Sequence, residues 1–141
     1  MEITITIKID DQELLNSKNE KKQKDVANNV SSYARVFDKD CDMWEPIHEY
    51  NRVFLATQQL KANALLKNRG YLFLNEVYEM LGVPKSKAGQ IVGWVYDEKN
   101  PNGDNYVDFG IYDDRNKDFV NGNKKTALLD FNVDGNILEI L

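Results

Sequence analysis

The chain has 141 residues, 42% of them hydrophobic and 29% charged, and a net charge of −5. That length suits a single domain with a core large enough to fold without a metal or a disulfide, while the acidic balance speaks against a dedicated nucleic-acid binder, which usually carries a basic face. No apolar run approaches the ~20 residues that cross a bilayer, no secretory leader pattern opens the chain, and the one cysteine, Cys41, cannot close an internal disulfide.

The chain opens with ITITIKID, in which Ile3, Ile5, Ile7 and Ile9 alternate with Thr4, Thr6 and Lys8. A period of two predicts a half-buried β-strand. Residues 11–32 are polar; Val26 and Val30, four apart, predict a short helix over about 20–31, and Lys18, Lys21, Lys22 and Lys24 form a basic cluster best read as a solvated face. These first 32 residues read as a strand and a polar segment attached to a globular domain over 33–141.

YARVFDKDCDMWEP reads as an extended segment entering an acidic loop, with Pro46 suited to the first position of a helix. Ile47 to Arg69 contains no Gly or Pro, and Gly70 supplies the stop. Tyr50, Val53, Phe54, Leu55, Leu60, Leu65 and Leu66 fall almost all round that helix, leaving Arg52, Gln59 and Asn63 as its clearest polar arc. So narrow a polar face predicts a central, mostly buried helix, with Phe54 and Leu65 inside and Asn51 and Gln58 in need of partners. Leu74, Val77, Tyr78 and Leu81 repeat at i, i+3, i+4, i+7 and predict a second, shorter helix ended by Gly82 and Pro84. QIVGWVYD and NYVDFGIYDD read as β-rich runs separated by the turn DEKNPNGD, and TALLDFNV and NILEIL flank Asp134-Gly135, a strong hairpin signal. The predicted class is α+β: a long central helix and one or two short helices on a small antiparallel sheet that ends in a C-terminal β-hairpin.

Several stretches imitate chemical motifs. Asp130, Asn132, Asp134 and Gly135 match the opening of a calcium-binding EF-hand loop, but its twelfth position is Leu141 rather than a glutamate, and both flanks read as strands. The three side chains are therefore expected to be the polar face of the hairpin. Asp38, Asp40, Asp42 and Glu49 repeat the spacing with Met43 in place of the obligatory glycine, so an acidic loop at a helix start is the expected reading. Cys41 and His48 fall short of a zinc set and carry no mark of a nucleophile–base pair. LNEVYEMLGVPKSKAGQIV has the outline of a helix-turn-helix, with Ser86 as an N-cap, yet Gly89 and Gly93 interrupt the would-be recognition helix. NPNGDN and VNGNKK lack a phosphate-loop pattern and read as turns.

The ordered string LNEVY…LG…VGW…VDFGI…LDFNVDG, with YARVFD and the long-helix sequence before it, resembles an uncharacterised domain family carried by phages and prophages of Firmicutes, over residues 33–141. The resemblance implies a phage or mobile-element origin, the host cytoplasm or the virion as its location, and no catalytic residues. Some relatives carry an apolar N-terminal segment where this chain has its Ile/Thr strand.

The resulting expectation is a non-enzymatic phage or prophage protein acting through protein–protein contacts, virion-associated or assembly-related, with self-association as one form of contact. No catalytic, cofactor or metal residues are assigned, and neither nucleic acid nor membrane is the expected partner. The expected contact region runs from Trp94 to Asp118, carried by Trp94, Tyr96, Asp104, Tyr106, Phe109, Tyr112, Asp113 and Asp114, because aromatics with an acidic rim suit an interface. Two alternatives stand beside it: an acidic inhibitor of a host defence or nucleic-acid enzyme, and a helix-turn-helix DNA-binding regulator.

Overall fold

The computed structural model describes residues 5–8, 13–14, 30–99 and 103–141. The predicted helix over about 20–31 lies outside them except for Val30 and Ser31, which are not helical, and the lysine cluster and Ile3 and Ile9 of the first strand also lie outside. The chain forms β1 (Ile5–Lys8), β2 (Glu13–Leu14), β3 (Arg35–Phe37), α1 (His48–Arg69), β4 (Tyr71–Phe73), α2 (Leu74–Leu81), β5 (Val92–Val95), α3 (Lys117–Val120), β6 (Ala127–Leu129) and β7 (Gly135–Asn136). Single 3-10 turns cover Ala88–Gln90, Asp114–Asn116 and Leu138–Ile140. This is the predicted α+β class, with antiparallel pairs β1–β2 and β3–β6 and an antiparallel three-stranded sheet in the order β4–β5–β7.

Helix α1 ends where its sequence says it should. Gly70 adopts φ 94°, and its N–H donates to Leu66 O at 2.8 Å, a left-handed stop that costs least at glycine. The chain reverses at once into β4, whose Leu72 pairs with Trp94 and whose Phe73 pairs with Gly93. A Cβ on Gly93 would stand 2.0 Å from Leu72 O, so this strand position requires glycine. Helix α2 follows directly. Glu76 reaches back to accept the Phe73 N–H at 2.9 Å and also receives Arg69, satisfying a donor that the helix start leaves open. Leu74, Val77, Tyr78 and Leu81 are fully buried, as their spacing predicts, with Phe37, Leu55, Leu72, Trp94, Phe109, Phe119 and Leu129 around them.

Three readings are corrected. First, Asp134-Gly135 is not a hairpin turn. Strand β6 pairs with β3 and β7 pairs with β5, so the two flanks belong to different sheets. The segment between them runs beside residues 108–109, through Asp130 N–H to Phe109 O and Asn132 N–H to Asp108 O, and then along β5, through Asp134 N–H to Gly93 O and Ile137 N–H to Ile91 O. Pairing with the open edge of β5 carries Ile137 into full burial, and Leu138–Ile140 close as a 3-10 turn rather than a return strand. Second, α2 is followed by a three-residue 3-10 turn and then by β5, so the recognition helix that a helix-turn-helix lays in the major groove is not formed. Third, α1 is not buried all round: Phe54 is inside, but Leu65 is 40% exposed and Leu60 72% exposed.

The β-rich run after the 97–104 turn is also not a ladder strand. Residues 107–110 join no strand ladder, and side chains satisfy their N–H groups instead: Val107 binds Asn63 Oδ1, Asp108 binds Asn132 Oδ1, Phe109 binds Gln59 Oε1 and Gly110 binds Asp108 Oδ1. Gln59 and Asn63, from the polar arc of α1, thus face this segment, and the apolar stripe of Tyr50, Val53 and Leu60 is left to water.

Candidate interaction surfaces

The region from Trp94 to Asp118 splits into an inner and an outer set. Trp94 and Phe109 are fully buried and cannot meet a partner. Trp94 sits at the centre of the three-stranded sheet with its Nε1–H donated to Asn132 Oδ1 at 2.9 Å, and Phe109 packs edge-on against Phe131. Their expected contact role is corrected on that ground: the largest aromatics of this stretch fill the core. Tyr106 and Tyr112 are exposed, and Tyr96 is half-buried with its hydroxyl pKa raised, first by a hydrogen bond to the Glu98 carboxylate.

The carboxylates of the same region have local tasks. Asp108 holds the Gly110 N–H, Asp113 pairs with Arg115, and Asp104 accepts Asn132 Nδ2–H at 3.0 Å. Asp114 is exposed at the start of a 3-10 turn. A shallow dent lies between Tyr112, Asp113, Asp114, Lys117 and Val120. Its two aspartates are offset by Lys117 and Arg115, so the acidic series does not form one continuous negative face.

The motif-like residues resolve in the same way. Asp130 binds the Ser31 N–H at 2.7 Å and the Ser31 hydroxyl, Asn132 joins Trp94, Asp104, Tyr106 and Asp108, and Asp134 accepts the Val95 N–H at 2.9 Å. Three side chains that would converge on an ion in an EF-hand are instead spent on hydrogen bonds to Ser31, to β5 and to residues 104–108. Among the described residues no group of three or more His, Cys, Asp and Glu is placed to hold a metal ion. Cys41 Sγ points to Val36 O, whereas His48 Nε2 lies 2.6 Å from Phe119 O, so the two do not pair. Burial, then the nearby Asp38, Asp40 and Asp42 carboxylates, push the Cys41 thiol up to about 12, the reverse of an activated nucleophile.

The surface that sequence reasoning missed is the outer face of α1. Tyr50, Val53, Thr57, Leu60 and Ala64 are all exposed and follow one another at spacings of three and four residues, which places them on one stripe. Ile47 and Leu65, also exposed, border it. The stripe is anchored from beneath: Tyr50 stacks on Phe54 at 6.1 Å between ring centroids, and Phe54 stacks on the fully buried Phe37 at 5.8 Å. A shallow groove runs between Tyr50, Val53, Phe54 and Thr57. The available signal is the set of apolar residues all round the helix, and the polar arc with Gln59 and Asn63 does not mark the solvent side. Their amides point to residues 107–109 instead, and the apolar stripe faces out.

Among the described residues no helix is long and apolar enough to cross a membrane. The chain belongs to the family of unknown function DUF6353, whose family model matches residues 4–141. That match extends nearly thirty residues further toward the N-terminus than the segment carrying the motif string. No curated protein matches the chain, and no solved structure matches it.

Proposed function

We propose that this member of a family of unknown function is a non-enzymatic protein-interaction module of phage or prophage origin, working in the bacterial host cytoplasm or on the virion, and that it docks through the outer face of α1. The phage origin rests on the motif string that ends in LDFNVDG. The observation that carries the interaction reading is the exposed stripe Tyr50, Val53, Thr57, Leu60 and Ala64, seated on a stacked aromatic column. Scattered surface apolar residues need no explanation, but an aligned row of them on a rigid element marks a contact site. A rigid aromatic such as Tyr50 is the residue type that anchors interfaces.

A photo-crosslinking residue at Thr57, compared with one at Tyr112, tests the reading in the protein's own host. The expected result is one discrete protein adduct from Thr57, abolished by Val53→Glu with Leu60→Glu, and none from Tyr112. No adduct from Thr57, or an adduct from Tyr112 alone, would reject the helix face as the docking surface.

A further inference from the structure

Resting on that reading of α1, we infer that the occupant of its outer face is a second copy of this chain, packed antiparallel about a two-fold axis close to Thr57. The stripe has the spacing by which two helices mesh side by side at a shallow crossing angle. It is also matched to itself when turned end for end. Thr57 then meets Thr57, Val53 meets the Leu60–Lys61 step, and the large Tyr50 meets the small Ala64. A partner of unrelated sequence would not demand that correspondence between the two ends.

The borders of the stripe carry the same symmetry. Glu49 and Lys67 lie along one border, Ile47 and Leu65 along the other, and all four are exposed. In an antiparallel pair, residues on the same border face one another. Glu49 of one copy, which Arg52 of its own chain holds at 2.9 Å, then faces Lys67 of the other, and Ile47 packs on Leu65. A parallel pair would set the two Glu45/Glu49 ends side by side, set the two Lys67/Arg69 ends side by side, and align the helix dipoles. Charge therefore selects the antiparallel arrangement. Such a contact uses one patch twice and closes on itself, so assembly stops at the dimer. With a threonine at the axis and a single helix per copy, the dimer is expected to dissociate on dilution.

The test is analytical ultracentrifugation of the full chain over a wide dilution series. Wild type should pass from dimer to monomer. Val53→Glu with Leu60→Glu should be monomeric at every concentration, with an unchanged circular-dichroism melt at low concentration because both positions lie outside the core. Glu49→Lys and Lys67→Glu should each weaken the dimer, and the two together should restore it. Orientation is read from cysteine crosslinking in a Cys41→Ser background: Thr57→Cys should form an interchain disulfide and Tyr50→Cys should not, whereas a parallel pair would crosslink through both.

The inference is overturned if wild type stays monomeric throughout, if the double glutamate variant still dimerises, or if Tyr50→Cys crosslinks as readily as Thr57→Cys. Its failure is separable from failure of the docking reading. A monomeric wild type whose Thr57 photo-adduct is a different protein sinks the second copy and leaves the helix face in use; a monomeric wild type with no Thr57 adduct sinks both.

Discussion

The side-chain amide of Asn63 meets the backbone of Val107 in both directions: Nδ2–H donates to Val107 O at 2.9 Å, and Oδ1 accepts the Val107 N–H at 2.7 Å. An asparagine here stands in for the peptide group of a neighbouring strand. The device recurs at Asn51 with Glu45, Asn75 with Ser86, Asn105 with Asp97 and Asn116 with Leu128. It explains how a chain with such short strands keeps its buried backbone paired. Asn63→Ala would leave both polar groups of the buried Val107 without partners, so a loss of about 1–3 kcal/mol is expected for an unsatisfied buried group. Asn68→Ala, at an exposed position of the same helix, should stay within about 0.5 kcal/mol. Chemical denaturation gives the comparison, and amide exchange at Val107 should accelerate only in the first variant. Equal stability of the two variants would show that the Asn63–Val107 pair adds nothing.

The two faces of α1 should respond very differently to truncation. Phe54 lies between Phe37 and Tyr50 in a stacked column, and its removal leaves a hole in the core. Phe54→Ala is expected to cost roughly 3–5 kcal/mol, as large-to-small core changes do. Leu65→Ala removes a side chain already partly in water and should cost about 1 kcal/mol or less. Melts at low protein concentration decide the matter, because association would otherwise stabilise the outer face by mass action. A Leu65→Ala loss as large as that of Phe54→Ala would place both faces of the helix in the core.

How far the sequence alone reaches is visible in these same residues. Helix α1, its glycine stop and helix α2 were legible because caps and a 3.6-residue period are local signals. The orientation of α1 was not, because a polar side chain can face either water or a backbone that needs it. Gln59 and Asn63 do the second, and nothing within the helix sequence distinguishes the two. The destination of the last strand was hidden for a related reason. Asp134-Gly135 favours a hairpin locally, but the open edge of β5 lies some forty residues away in sequence and wins the pairing. Within the expected contact region, composition could not separate Trp94 and Phe109, which fill the core, from Tyr106 and Tyr112, which do not.

Cys41 offers a readout of the acidic loop before α1. Burial is the first cause of its raised pKa, with Asp38, Asp40 and Asp42 adding to it, and the thiol is pushed up to about 12. At pH 8 only about one thiol in ten thousand would then be ionised, against about one in four for a free cysteine. Alkylation of the native chain should be slower than that of the denatured chain by about tenfold or more. Matching rates in the two states would mean that the loop does not shield the sulfur.

The pH dependence of stability should carry the mark of Asp134. Loss of hydration around its carboxyl, and next the nearby Asp104 carboxylate, raise its pKa above 3.8, while the Val95 N–H pulls it back. Because the folded pKa exceeds the unfolded one, the native state holds more protons in the window just above pH 3.8. The stabilisation is therefore full below that pH and is lost as pH rises through the folded pKa. Asp134→Asn keeps an oxygen for Val95 and removes the repulsion with Asp104. Its stability relative to wild type should be greatest at neutral pH and should fall as the pH drops below about 4. Asp38 shifts in the same direction, also through burial, so the difference between wild type and variant is the quantity to follow by denaturation from roughly pH 3 to pH 7, a span that brackets the carboxyl titrations. The same side chain tests the hydrogen-bonding reading of the EF-hand-like stretch. With Asp130, Asn132 and Asp134 already engaged in hydrogen bonds to other parts of the chain, melts in calcium and in chelator should overlay. A calcium-dependent rise in melting temperature that Asp134→Asn abolishes would instead make these three side chains ligands of a bound ion, since a ligand that binds the native state must stabilise it.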